Sequence, residues 1–444
     1  MKFYARDNEL VLLGKQFSHT INSSVMTVIT GRRRIGKTYL ARKHAEGKKS
    51  IYLFVSKKPE VLLCKEFVET IQAVADYPVI GDITEFKQVF RLLMEISKTE
   101  QIVLIIDEFQ EFHNINKSVY SDIQNLWDEY KDHTKAQLIF IGSVYSLMHK
   151  IFQNSKEPLF GRADRIIYLK PFPPSVIKEI LDDNRSYTKE NLFYIYMITG
   201  GVPKYLNTLN QYKTFSMTDI LDLYLQESSP FLDEGKMILI EEFGKEYGTY
   251  FAILQMLSEG RTSRSEIESI LERNIGGYLE KLETDYDLIR KRKPISAKTT
   301  GRVQKYYIKD NFLSFWFRFI FKNKSAIESN NFVFIRKSIE MNIQNYSGQV
   351  LEKLYHDIFI EKSSFNQIGN YWERGNKNEL DIVAINDLDQ RIVISEVKMN
   401  IEKAKMNALK DKSINLIKKY PGYEIEYLLL GMQTIDEYMI KETV

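Results

Sequence analysis

The sequence predicts an α/β protein that opens with a parallel sheet carrying helices on both faces. Three observations predict it. Strand signals near residues 25–30, 50–55, 102–107, 137–142 and 165–169 alternate with helical patterns. Ile102-Val103-Leu104-Ile105-Ile106 is a short, wholly apolar run, as suits a strand buried on both faces. Val25-Met26-Thr27-Val28-Ile29-Thr30 runs into a Gly-rich loop and then into the helical start Tyr39-Leu40-Ala41-Arg42-Lys43-His44.

That loop is Gly31-Arg32-Arg33-Arg34-Ile35-Gly36-Lys37-Thr38, and it fits G-x-x-x-x-G-K-[ST] at every required position. A strand before it and a helix after it make the match a credible phosphate site. The glycines let backbone N–H groups close around phosphate oxygens. Lys37 is expected to reach the β- and γ-phosphates of ATP, and the Thr38 hydroxyl to ligate Mg²⁺. The third strand ends in Asp107-Glu108. Asp107 is expected to hold Mg²⁺ through water, and Glu108 to polarise the attacking water. The fourth ends in Ile141-Gly142-Ser143. Ser143 is read either as a γ-phosphate sensor or as a cap for the next helix.

Composition narrows the class. With 444 residues the chain is long enough for two to four domains. One cysteine, Cys64, excludes an intramolecular disulfide framework and any Cys-based zinc site. The start, Met1-Lys2-Phe3-Tyr4-Ala5-Arg6-Asp7, has no apolar signal region, and no apolar segment approaches a membrane span. A soluble cytoplasmic protein is expected. A net charge of only +3 argues against a general nucleic-acid coat but permits a local basic face.

After Pro171-Phe172-Pro173-Pro174 the patterns become mostly helical, as in an ATPase lid. Within them, the Gly-x-Pro turn Gly201-Val202-Pro203 is a candidate contact for an adenine ring. From about 245, three helical patterns precede two strand-like runs, 288–293 and 303–308, joined by 294–301. These look like the wing of a winged helix. Arg290, Lys291, Arg292, Lys293, Lys298, Arg302 and Lys305 concentrate positive charge there, either to neutralise DNA phosphates or as a solvated face.

A separate constellation lies near the carboxyl end. Asn378-Glu379-Leu380-Asp381-Ile382-Val383 and Ile392-Val393-Ile394-Ser395-Glu396-Val397-Lys398 read as adjacent antiparallel strands. Glu396 and Lys398, two apart, project from one face. Asp381 and Glu396 would hold Mg²⁺ for phosphodiester hydrolysis, with Lys398 orienting or activating the water. Glu352, on an upstream helical pattern, could add a further carboxylate.

On these residues the chain resembles the archaeal-type ATPases of prokaryotes, AAA+-like P-loop proteins related to the STAND regulators. It is most similar to members that end in a PD-(D/E)XK-like domain of unassigned function. The resemblance rests on Arg6-Asp7-Asn8-Glu9-Leu10, the 31–38 loop, Asp107-Glu108-Phe109-Gln110, Gly161-Arg162, Gly201-Val202-Pro203, the segment from Tyr307 to Trp316 and the Asp381/Glu396/Lys398 set. It implies a P-loop ATPase core at 1–172, a helical lid at 173–240, a winged helix at 241–325 and an α/β restriction-endonuclease-like domain at 335–444. It also implies that Pro203 touches adenine and that Arg162 is a candidate phosphate-sensing arginine.

Two functions compete. One is an ATP-hydrolysing switch that controls a Mg²⁺-dependent nuclease-like domain acting on DNA. The other is a nucleotide-dependent regulator whose terminal domain binds nucleic acid or protein without cutting. A homo-oligomer or protein partner fits either. A metabolic kinase is disfavoured, since nothing resembles a phosphoacceptor pocket.

Overall fold

The computed structural model describes residues 2–75, 77–79, 81–244, 247–295, 304–375 and 377–439. The chain divides into two compact units, Lys2–Lys170 and Pro171–Val444.

The first unit is built on strands β1 (Val25–Thr30), β2 (Ser50–Phe54), β3 (Ile102–Asp107), β4 (Ala136–Ile141) and β5 (Arg165–Tyr168). They lie in the order β2-β3-β4-β1-β5, every neighbouring pair parallel. All five carboxyl ends therefore open on one edge, where open α/β sheets place their ligands. Along β3 the side chains alternate. Leu104 and Ile106 join a core with Leu138 and Phe140 of β4 on one face. Val103 and Ile105 join Ile29, Ile139 and Leu40 on the other. Period-two alternation with both faces covered is why this strand reads as an unbroken apolar run. Burial of each such side chain contributes about 1.5–3 kcal/mol. Strand β4 stops at Ile141, one residue short of expectation, and a Cβ on the following Gly142 would stand 2.2 Å from the Met148 sulfur, so only glycine fits there.

The helix Lys37–Ala45 follows the loop after β1. A buried chain of hydrogen bonds anchors it: His44 Nε2 pairs with Gln137 Oε1 at 2.7 Å, and Gln137 Nε2 donates to the Leu13 carbonyl at 3.0 Å. Burial holds the His44 imidazole below its ordinary value, which favours the neutral ring.

The second unit begins with the helices Pro174–Asp183, Lys189–Thr199, Pro203–Tyr212, Met217–Tyr224 and Pro230–Phe243. Gly200, left-handed, ends the second of these, and Pro203 starts the third, where a missing N–H costs nothing. Gly201 has φ 76°, and a Cβ there would lie 2.0 Å from the Phe172 carbonyl oxygen. Local geometry thus accounts for the Gly-Gly-x-Pro turn.

Next come the helices Tyr247–Ser258, Arg264–Leu271 and Gly276–Thr284, and the antiparallel pair β6 (Ile289–Arg292) and β7 (Lys305–Ile308). Lys298 and Arg302 lie outside the described residues. The remaining basic residues do not form the single face that the sequence suggested. Alternation along β6 sends Lys291 to Glu283, at 3.0 Å, while Arg290 and Arg292 share the opposite side. Lys305 pairs with Glu379 at 2.9 Å.

The long helix Phe332–Lys362 leads into β8 (Gln367–Glu373), β9 (Lys377–Asn386), β10 (Arg391–Val397) and β11 (Glu424–Leu430). Their order is β11-β10-β9-β8. The pairs β8/β9 and β9/β10 are antiparallel, and β11 returns parallel to β10 after the helix Met406–Ile417. The hairpin is seated on this sheet: Ile295 N–H donates to the Asn370 carbonyl at 2.7 Å, and Lys305 Nζ lies 4.9 Å from the centre of the Trp372 ring. Among the described residues no helix is long and apolar enough to cross a membrane.

Candidate functional site

The 31–38 loop sits at the carboxyl end of β1. Gly31 has φ 144°, and a Cβ on it would lie 2.6 Å from the Leu169 carbonyl oxygen. Gly36 has φ 91°, with nothing within 4 Å of where a Cβ would project. The first glycine permits close backbone approach, and the second keeps the loop's concave side open. Ile35 is buried and anchors the loop, Arg32 and Arg33 are half-buried, and Arg34 is exposed with φ 71°. The buried Lys37 donates to the Gly31 and Arg32 carbonyls, at 2.8 and 2.9 Å. Its ammonium is thus held across the loop.

Asp107 closes the far side. Its Oδ2 accepts from the Thr38 hydroxyl at 2.6 Å and from the Tyr52 hydroxyl at 2.8 Å. Its Oδ1 accepts from the Glu108 N–H at 2.8 Å. Burial, and then the Asp107 charge, push the Tyr52 phenol well above its ordinary value, so it remains a proton donor. Every donor to Asp107 in these bonds is neutral, and the carboxylate charge is left for a cation. A hard divalent ion such as Mg²⁺ fits this oxygen set, with Thr38 and Asp107 to hold it.

Glu108 follows with φ 54°, a backbone setting uncommon outside glycine that clusters at functional sites. Its Oε2 accepts from the Ser143 hydroxyl at 2.7 Å and from the Gln110 amide. The Ser143 N–H in turn reaches Gln110 Oε1 at 3.3 Å. Ser143 does not cap the next helix, Tyr145–Gln153, whose N-cap is Val144 and has no side-chain bond. Arg162 is spent on Asp128, at 2.8 Å, and on the Pro158 carbonyl, at 2.7 Å.

The second constellation assembles from strand register. Ser395 stands opposite Ile382, which brings Glu396 next to Asp381 across the pair. Lys398 Nζ lies 3.7 Å from Asp381 Oδ2 and 3.3 Å from Glu396 Oε1. Lys412, on the helix behind, also reaches Glu396 Oε1 at 3.3 Å. The Val397 N–H donates to Asp381 Oδ2 at 2.8 Å. Burial raises the Asp381 carboxyl. Burial alone would lower Lys398, but Asp381 and Glu396 outweigh it and hold the ammonium above its ordinary value. Glu396 Oε2 is buried and has no partner among the described residues.

Among the described residues no group of three His, Cys, Asp or Glu side chains is arranged to hold a metal ion. Glu352 lies close enough to Asp381 to feel its charge. Lys398 stands against both strand carboxylates and answers their charge. Glu352, on the long helix, is pushed up to about 8 by burial and then by the Asp381 charge, which favours its neutral form. The Asp381 and Glu396 carboxylates, the latter with its Oε2 unpartnered among the described residues, remain as a fit for a divalent ion.

Comparison with known proteins decides the first unit. Residues 3–209 match a family described as an ATPase domain predominantly from Archaea. This part of the chain is a P-loop ATPase domain. Residues 316–409 match a family of archaeal and bacterial proteins of unknown function. An uncharacterized protein of Methanocaldococcus jannaschii is 29% identical over 446 residues, covering 98% of this chain and 94% of its own. A Walker-type ATPase of Pyrococcus abyssi is similar in fold, with a TM-score of 0.54 at 18% identity, covering 71% of this chain and 96% of that one.

Within the ATPase domain the structure brings Thr38, Asp107, Glu108 and Ser143 into one chain of contacts. Tyr52 and Gln110 belong to it as well. Gln110 stands two residues past Glu108 on a single helical turn, so its spacing carried a signal; Tyr52 sits on a neighbouring strand and carried none. Nor did Lys412, whose place depends on how its helix lies on the sheet.

Proposed function

We propose that the chain is an ATP-driven switch whose second unit carries a Mg²⁺-dependent nuclease-like centre acting on DNA in the cytoplasm. In the ATPase domain, the loop N–H groups bind the phosphates and Lys37 neutralises their charge. Thr38 and Asp107 hold Mg²⁺, which supplies charge stabilisation at the phosphates when bound. Glu108 takes a proton from water as the water oxygen bonds to the γ-phosphorus. The bond to the β-phosphate oxygen breaks, and ADP and phosphate leave. Ser143 and Gln110 both hold Glu108 Oε2, which orients the carboxylate and leaves Oε1 to take the proton. Pro203 is assigned to the adenine.

The observation that carries the nuclease-like reading is the approach of Lys398 to Asp381 and Glu396, with Glu396 Oε2 buried and unpartnered. Asp381 and Glu396 would hold the metal, and Lys398 the water. The helices from 247 to 284 followed by β6 and β7 support the winged-helix reading of 241–325. The alternative is a switch that grips nucleic acid or protein without cutting, and the ammonium groups of Lys398 and Lys412 against Glu396 favour it.

The test incubates the full chain with supercoiled DNA, Mn²⁺ and ATP, beside Asp381→Ala and Glu396→Ala. Calorimetry of Mn²⁺ binding runs in parallel. Nicking lost in both variants supports cleavage. Equal Mn²⁺ binding by parent and variants, without nicking, puts the non-cutting switch in its place.

A further inference from the structure

A cavity of about 250 Å³ lies between the β6–β7 hairpin and the long helix. Arg290 and Arg292, Lys305 and Lys353 line it, against two carboxylates, Glu352 and Glu379. Glu379 is already paired with Lys305 at 2.9 Å. Lys353 is committed to the Lys309 carbonyl and the Asn311 side chain. The two arginines differ from these lysines. Neither guanidinium is ion-paired to a carboxylate among the described residues. Arg290 Nε is buried with no hydrogen-bond partner among them. Arg290 is half-buried, and desolvation pulls its guanidinium down to about 10.

Alternation puts both arginines on one side of β6. The Arg292 guanidinium is braced over the Tyr307 ring, 4.4 Å from its centre. Asp357, behind Arg290, offsets part of its charge. A buried, unanswered guanidinium is costly unless an anion meets it. Guanidinium forks pair bidentately with carboxylate and phosphate oxygens, and a phosphate has enough oxygens to meet two forks at once.

We infer that this cavity is a binding site for a phosphate monoester, held between the Arg290 and Arg292 guanidiniums. A monoester near neutral pH carries close to two negative charges, matching the two arginines, and presents three acceptor oxygens. Its source is either a free mononucleotide or the phosphorylated end of a nucleic-acid strand. The cavity borders the acid–lysine cluster, since Glu352 lines it and feels the Asp381 charge, but binding there does not depend on cleavage.

The test uses the full chain carrying Lys37→Ala, so that the ATPase loop does not compete. Calorimetry measures dTMP, a short oligothymidylate with a 5′-phosphate, and the same strand with a 5′-hydroxyl. Binding of the two phosphorylated probes is expected, weakened about tenfold by Arg292→Lys, which keeps the charge but loses the fork. Binding of the phosphorylated strand without dTMP identifies a strand end, and binding of both a small ligand. Should Arg290→Lys fail to fold, Arg292→Lys carries the test, with its melting temperature as control. All titrations run in EDTA, where no divalent ion can support cleavage, and binding retained there separates this site from the nuclease-like reading. Equal affinity for the 5′-hydroxyl and 5′-phosphate strands overturns the inference. So does unaltered binding in Arg292→Lys.

Discussion

The two acidic sites differ in what answers their charge. Asp107 and Glu108 are met by neutral donors: the Thr38, Tyr52 and Ser143 hydroxyls and the Gln110 amide. Asp381 and Glu396 are met by the Lys398 and Lys412 ammonium groups. Neutral donors fix a carboxylate's position and leave its charge for a cation. Lysines fix it and cancel the charge, so a divalent ion must first displace or share with them. The first site leaves its carboxylate charge unanswered; at the second, the protein's own lysines answer it.

The largest expected effect is on hydrolysis. Glu108→Gln should keep nucleotide binding and lose about 10²–10⁴ in turnover, read by phosphate release. Hydrolysis equal to the parent would remove Glu108 as the base. Lys37→Ala should weaken a non-hydrolysable ATP analogue by roughly 100-fold, the scale of two charge-assisted hydrogen bonds. Calorimetry checks it, and an unchanged affinity would take Lys37 off the phosphates.

A smaller effect tests the contrast directly. Lys412→Ala removes one of the ammonium groups on Glu396 and should tighten Mn²⁺ there by about fivefold, a partly buried ion pair being taken at about 1 kcal/mol. Tyr52→Phe removes only a neutral donor and should weaken the ATPase domain's Mg²⁺-nucleotide affinity by less than about tenfold. If Lys412→Ala leaves Mn²⁺ affinity as it was, the Lys412 charge does not compete with metal at the second site.

A separate effect is on stability against pH. Glu352 is raised to about 8 in the folded chain, and about 4.3 is ordinary for an unfolded one. Between those values the folded state binds more protons than the unfolded, so stability falls as pH rises. Glu352→Gln should flatten that slope in denaturant titrations across the window. An identical slope in parent and variant would mean that Glu352 is not kept neutral by the fold.

Much of the first unit was legible in the sequence. Strands such as β3 are buried on both faces and so leave an unbroken apolar run. The loop at 31–38 is legible because phosphate binding needs glycines and a lysine at fixed spacing along one chain. The register of β9 and β10 followed from a short polar turn, which brought Asp381 to Glu396. What the sequence hid depends on distant packing. Four basic residues in a row, Arg290 to Lys293, counted as one patch until strand alternation separated Lys291 from its neighbours. Lys412 and Tyr52 reach their carboxylates from a helix and a strand with no spacing rule to link them.

The hydrogen bond from Ile295 to the Asn370 carbonyl bears on how this chain can be divided. A cut near residue 330 would leave β8 without that partner and uncover Trp372 where Lys305 lies over it. The last hundred residues are therefore not a portable cassette. Limited proteolysis should release a fragment that retains the hairpin, and transplanting the terminal sheet to another protein should require carrying residues from about 285 onward with it.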